Sequence, residues 1–127
     1  MDKAQILHAL EQGASFWNSW RKRQANVDIN LDGVELEGMN FNGYDFSKVS
    51  FCNARVAHCS FQYADLIFAN LQGSFFQHND FSYAKLIAAN LSRCDLSGSI
   101  LFLAKILTAN TRNARLENID FRGHDIS

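Results

Sequence analysis

Between Leu31 and Ile126 a large apolar residue returns every five positions. The series runs Leu31, Leu36, Phe41, Phe46, Phe51, Val56, Phe61, Leu66, Leu71, Phe76, Phe81, Leu86, Leu91, Leu96, Leu101, Ile106, Thr111, Leu116, Phe121, Ile126, and only Thr111 breaks it. A period of five is neither the 3.6 of a helix nor the 2 of a flat strand. Two residues before each of these centres lies a second series, mostly small, that includes Ala54, Cys59, Ala64, Ala69, Ser74, Ala84, Ala89 and Cys94. Inward residues spaced by two read as a very short strand. The two residues left over in each pentapeptide then have to turn a corner. The glycines agree: six of the seven, at 33, 38, 43, 73, 98 and 123, fall two residues after a centre, where Asn53, Asn113 and Asn118 also fall. Gly and Asn accept the positive φ of a type II turn.

The position just before the centre is often Asp or Asn, as at Asn30, Asp45, Asp65, Asn70, Asp95 and Asp120. The consensus is Ala-Asp/Asn-Leu/Phe-X-X, uninterrupted in ADLIFANLQGS and AANLSRCDLSGS. This pattern resembles the pentapeptide-repeat family. The resemblance implies an all-β solenoid, a right-handed, four-sided β-helix with four pentapeptides per coil and about five coils. Neighbouring coils then stack about 4.8 Å apart. Backbone donors committed between coils rationalise the absence of Pro, which would delete one of them.

Residues 1–24 lie outside the repeat, and residues 25–127 form the repeat proper, the two together making one domain. Ile6, Leu7, Leu10, Ala14, Trp17 and Trp20 follow helical spacing. One helix is expected, bent at Gly13. The stretch Gln12 to Arg21 resembles the Trp-Asn-X-Trp-Arg start of many bacterial family members. Ile6, Leu10, Trp17 and Trp20 are assigned to a cap over the first coil, since terminal repeats need covering. At the other end, Thr111 and His124 at inward positions indicate a looser last coil, left open or covered by a second subunit.

Residues 20 apart should be stacked neighbours. This arranges Tyr63, Tyr83 and Leu103 in one outward column, with Ile100 and Phe102 beside it. Ile67, Ile87 and Leu107 form a second, with Phe68 alongside. The two columns are expected to flank one corner and to make an exposed apolar patch, the candidate interface with a second copy or another protein. His58 and His78 should stack, without the further ligands a metal site needs. Cys59 and Cys94 replace Ala and read as core, while Cys52 points outward. Three cysteines suit a reducing, cytoplasmic setting better than a disulfide framework.

Composition narrows the functions. At 47% apolar and 20% charged, the 127-residue chain is too apolar for disorder. No apolar run approaches the length of a membrane span, and no secretory signal is visible. No phosphate loop, nucleophile elbow or metal signature appears, so neither catalytic residues nor a cofactor are expected. The resemblance also raises the gyrase-protecting, DNA-mimicking members that confer quinolone resistance. Such mimicry needs a concentrated negative surface. Residues 26–127 carry 11 acidic and 8 basic side chains, a balance of -3, and Arg55, Lys85, Arg93, Lys105, Arg112, Arg115 and Arg122 interrupt any acidic column. The loop insertion and C-terminal helix of that group are also missing. The expectation is a non-enzymatic interaction module, with a protein or a second copy as partner; the net charge of -1 argues against direct nucleic-acid binding, and the alternatives are the gyrase-binding role and an immunity protein.

Overall fold

The structure is a computed structural model that describes residues 1–123. The inward assignments of His124 and Ile126 lie outside the described residues. Two helices lead the chain, α1 (Lys3–Leu10) and α2 (Ala14–Arg23). The single bent helix expected from spacing is therefore two. Gly13 sits between them at φ 94°, which no helix residue adopts, and it serves as the N-cap of α2. A capping box starts α1: Gln5 N donates to Asp2 Oδ1 at 2.9 Å and Asp2 N to Gln5 Oε1 at 3.0 Å.

The pentapeptides then wind as a β-helix. Two three-residue strands, β1 (Glu35–Glu37) and β2 (Arg55–Ala57), pair in parallel with Glu35 opposite Arg55. Further parallel bridges continue the same offset, from Asn30–Ser50 to Ile100–Asp120, and every one joins residues 20 apart. Four pentapeptides thus pass before the chain lies alongside itself. Each bridge is a reciprocal pair of backbone bonds, as where Phe41 N donates to Ser60 O at 2.7 Å and Ser60 N to Met39 O at 3.0 Å.

The centres fill the interior. Phe41, Phe61 and Phe81 stack with centroids 5.2 and 5.0 Å apart, and Phe46, Phe51 and Phe76 close around them. Small residues two positions earlier, such as Ala54, Ala64, Ala69 and Ala84, are fully buried and leave room for these rings. Burying a Phe or Leu of this kind contributes about 1.5–3 kcal/mol. The core thins toward the far end: Thr111 is exposed rather than inward-buried, and Leu116 and Phe121 are more than a third exposed.

Side chains and backbone together make the turns. All ten described Asp and Asn residues of the position before the centre accept, through Oδ1, the N–H two residues on; Asp65 to Ile67 N at 3.0 Å and Asn90 to Ser92 N at 3.0 Å are examples. These Asp and Asn residues are turn formers. The residue after the bonded N–H takes positive φ from Gly33 onward, whatever its identity: Lys48, His58, Tyr63, Phe68, Tyr83, Arg93, Leu103 and Thr108 lie between 54° and 62°. Sequence alone pointed to Gly and Asn at this place; the stacked backbone imposes the conformation on the rest.

Candidate protein interface

The N-terminal cap and the candidate interface share one extended segment, that of Phe46 and the residues stacked on it. In the interior of the solenoid, Asp65 N donates to Tyr44 O (2.9 Å), while Asp65 O and Ile67 O accept from Phe46 N (2.7 Å) and Lys48 N (2.9 Å). The first coil has no coil before it to supply these partners. Helix α2 supplies them. Asn18 Oδ1 accepts from Asp45 N at 2.8 Å, Trp17 Nε1 and Arg21 Nη1 both donate to Asp45 O at 2.7 Å, and Arg21 Nη2 donates to Ser47 O at 2.8 Å. Side chains at i, i+1 and i+4 of one helix thus imitate a missing strand. On the neighbouring part of the coil, Lys3 Nζ donates to Asp32 O.

Trp17 is fully buried over Phe46 (5.6 Å), with Trp20 at 5.1 Å and Tyr44 at 6.0 Å. Ile6 and Leu10 are buried with it, and Leu10 O accepts from Tyr44 Oη at 2.8 Å. Burial lowers the Arg21 pKa, opposed by the nearby charges of Asp45, 3.8 Å away, and Asp65. Asn18 and Arg21 were not among the candidate cap residues, although both belong to the Trp-Asn-X-Trp-Arg stretch that the sequence displays.

The outward columns form as expected by the 20-residue step. Tyr63 and Tyr83 stack at 4.8 Å with planes 2° apart, and Phe102 meets Tyr83 edge-on at 5.6 Å. Tyr63 is 65% exposed, Phe68 62% and Leu107 73%; Tyr83, Ile100 and Leu103 are exposed to lesser degrees, and Ile67, Ile87 and Phe102 are partly covered. The placement of the two columns around one corner is corrected. Between Tyr83 and Ile87, Ala84 and Leu86 are buried and Lys85 is exposed. The columns therefore lie on two successive turns, and flank an extended segment whose outward residues are Asp45, Asp65, Lys85 and Lys105. The patch is two apolar ridges with a charged strip between them.

The side that carries His58 and His78 mixes polar and apolar groups. His58 and His78 stack at 5.1 Å with planes 5° apart, and the His78 ring lies over Gly98, where a Cβ would come within 2.3 Å of its Nδ1. Arg55 covers the exposed Phe75 ring at 4.7 Å. An open groove beside them is lined by Glu35, Glu37, Arg55, Phe75 and Gln77. Among the described residues no group of three His, Cys, Asp or Glu is placed to hold a metal ion. All three cysteines are unpaired. Burial pushes the Cys94 thiol up to about 11 and raises that of Cys59, so both stay protonated near neutrality. Among the described residues no helix is long and apolar enough to cross a membrane.

Comparison with known proteins agrees with the fold. No curated protein matches the chain. The chain is similar to a pentapeptide repeat protein from Nostoc PCC 7120, with 32% identity, a TM-score of 0.61, and coverage of 68% of this chain and 78% of that one. A pentapeptide repeat protein from the Arabidopsis thaliana thylakoid lumen shares the fold at 18% identity and TM-score 0.56, covering 94% of this chain and 79% of that one. The plasmid-mediated fluoroquinolone resistance protein QnrB1 is matched at 15% identity and TM-score 0.42, over 78% of this chain and 77% of that one. A family model described as pentapeptide repeats, in eight copies, matches residues 29–62 and 59–98, and on this evidence the chain belongs to the pentapeptide repeat family.

Proposed function

We propose that the protein is a non-enzymatic interaction module: a right-handed, four-sided rod of about five coils, capped by residues 1–24 and homodimeric through the side centred on Phe46. The register of 20 and the positive φ at every turn support the four-sided form. One observation carries the interface: Tyr63, Phe68 and Leu107, the most exposed large apolar side chains of the repeat, stand on the two edges of a single side. Monomers seldom expose this much apolar surface on one side without a use. Ring stacking within a column accounts for Tyr63 and Tyr83, but not for Phe68 and Leu107. The unpaired cysteines favour a reducing compartment such as the cytoplasm. Among the described residues no side is acidic throughout, which disfavours DNA mimicry.

The test is the mass in solution of a Tyr83→Ser, Ile87→Ser, Leu107→Ser variant, by sedimentation or light scattering. A folded monomer, against a dimeric native chain, is the expected result. An unchanged mass rejects this side as the interface.

A further inference from the structure

We infer that a second copy of the chain docks antiparallel on the side centred on Phe46, in a register set by Asp65 and Lys85. The inference rests on the self-association proposed above and specifies its geometry.

Along the charged strip the outward residues are ordered acid, acid, base, base from the cap: Asp45, Asp65, Lys85, Lys105. Two copies packed face to face are related by a two-fold axis lying in their interface. If the axis runs along the rod, Asp65 meets Asp65 and Lys85 meets Lys85. Like charges held together in this way oppose that arrangement. If the axis runs across the side, between the coils of Asp65 and Lys85, every charge meets its opposite. Asp65 then faces Lys85 of the second copy, twice by symmetry, and Asp45 faces Lys105.

The same operation keeps each apolar ridge on its counterpart. Tyr63 lies opposite Tyr83 of the second copy, and Ile67 opposite Ile87. The other charges facing the strip are compatible. Arg21 lies 3.8 Å from Asp45 and so answers the outer acid within its own chain. Asp65 uses one oxygen on Ile67 N. Among the described residues no ion pair involves Lys85 or Lys105. The inner pair, Asp65 and Lys85, is therefore what selects the register.

The side is small. Four coils span roughly 19 Å and five residues across it roughly 16 Å. That is below the ~800 Å² per partner of a standard interface, so the dimer is weak and exchanging.

Sedimentation equilibrium over a wide concentration range tests this, with folding monitored by circular dichroism. Asp65→Lys and Lys85→Asp should each weaken association by about tenfold or more. The double exchange, Asp65→Lys with Lys85→Asp, should restore it. Lys85→Asp is the secure arm, because Lys85 is exposed and its side chain makes no hydrogen bond or ion pair among the described residues. If Lys85→Asp leaves association unchanged, or the double exchange is no better than the single changes, the antiparallel register is wrong. If in that case the Ser variant is still a monomer, the interface stands and only the register falls. A native chain that stays monomeric throughout overturns both.

Discussion

The side-chain amide of Asn79 donates to the carbonyl of Val56, one coil back, at 2.8 Å, while its Oδ1 accepts from Cys59 N at 2.9 Å. At most turns the N–H two positions before a centre bonds to the preceding centre's carbonyl, as Ala54 N does to Phe51 O. The turns after Leu36, Val56, Phe76 and Leu116 lack that bond, and in the first three a neighbouring coil fills the gap. Met39 N donates to Cys59 Sγ, Asn79 does the work for Cys59 N and Val56 O, and Ser99 Oγ accepts from Asn79 N and donates to Phe76 O. Cys59, Asn79 and Ser99 thus form a buried polar column in the apolar interior.

Replacing Asn79 with Ala strips partners from two buried backbone groups. The expected loss is about 2–4 kcal/mol. Thermal or denaturant unfolding measures it, and hydrogen exchange should quicken first at Cys59. A loss below about 0.5 kcal/mol means that water replaces the amide.

Arg21→Ala removes two donors from the exposed edge of the first coil and leaves Trp17 as the sole donor to Asp45 O. Destabilisation of about 1–3 kcal/mol is expected. The uncovered edge is also a template for association, so light scattering should rise on mild heating well before the native chain's does. Arg21→Lys restores a charge but cannot reach both carbonyls, and should rescue only in part.

Thr108 is exposed and holds φ 60° with a branched Cβ, an unfavourable combination. Thr108→Asn or Thr108→Gly should stabilise the protein by about 0.5–1 kcal/mol. For a chain of this size that raises Tm by roughly 2–5 °C. A lowered Tm would show that the Thr side chain gives more than its backbone costs.

Acid should loosen the middle coils. Burial raises the pKa values of Asp80 and Asp95, but hydrogen bonds outweigh it and both end lowered. Asp80 accepts from Ser82 Oγ at 2.6 Å and Gln62 Nε2 at 2.7 Å; Asp95 accepts from Ser97 N at 3.0 Å and Gln77 Nε2 at 2.9 Å, and Arg115 adds its charge. An unfolded chain titrates these groups near pH ~3.9, so as pH falls it binds protons before the folded one. Their stabilisation is present above that pH and lost as pH drops through the lower folded values. Tm followed from pH 7 to 2 should fall more shallowly in the Asp80→Asn, Asp95→Asn double variant. Identical slopes would assign acid sensitivity to other groups.

Much of the solenoid was legible in one dimension. The five-residue period sets which side chains point inward, because the chain meets itself at a constant offset. Residue spacing therefore carried the core, the stacked Phe rings and the Tyr63–Tyr83 column. The cap was legible as a helical apolar face through Ile6, Leu10, Trp17 and Trp20; Asn18 and Arg21 were visible as part of the Trp-Asn-X-Trp-Arg stretch, but their task was not. Their value comes from where the orphaned groups of Asp45 and Ser47 lie in space. Gly13 announced a bend; the extent of the break depended on how each helix meets the first coil.

By itself, then, the sequence determined the register, the identity of the core and the family, since all three follow from the local alternation of small, polar and large residues. Only the tertiary structure decided the positive φ of Tyr83 and Leu103, the repair of an opened turn by Asn79, and the separation of two apolar ridges by Asp65 and Lys85. Each of those depends on atoms one coil or one turn away, where backbone stacking overrides the preference of any single residue.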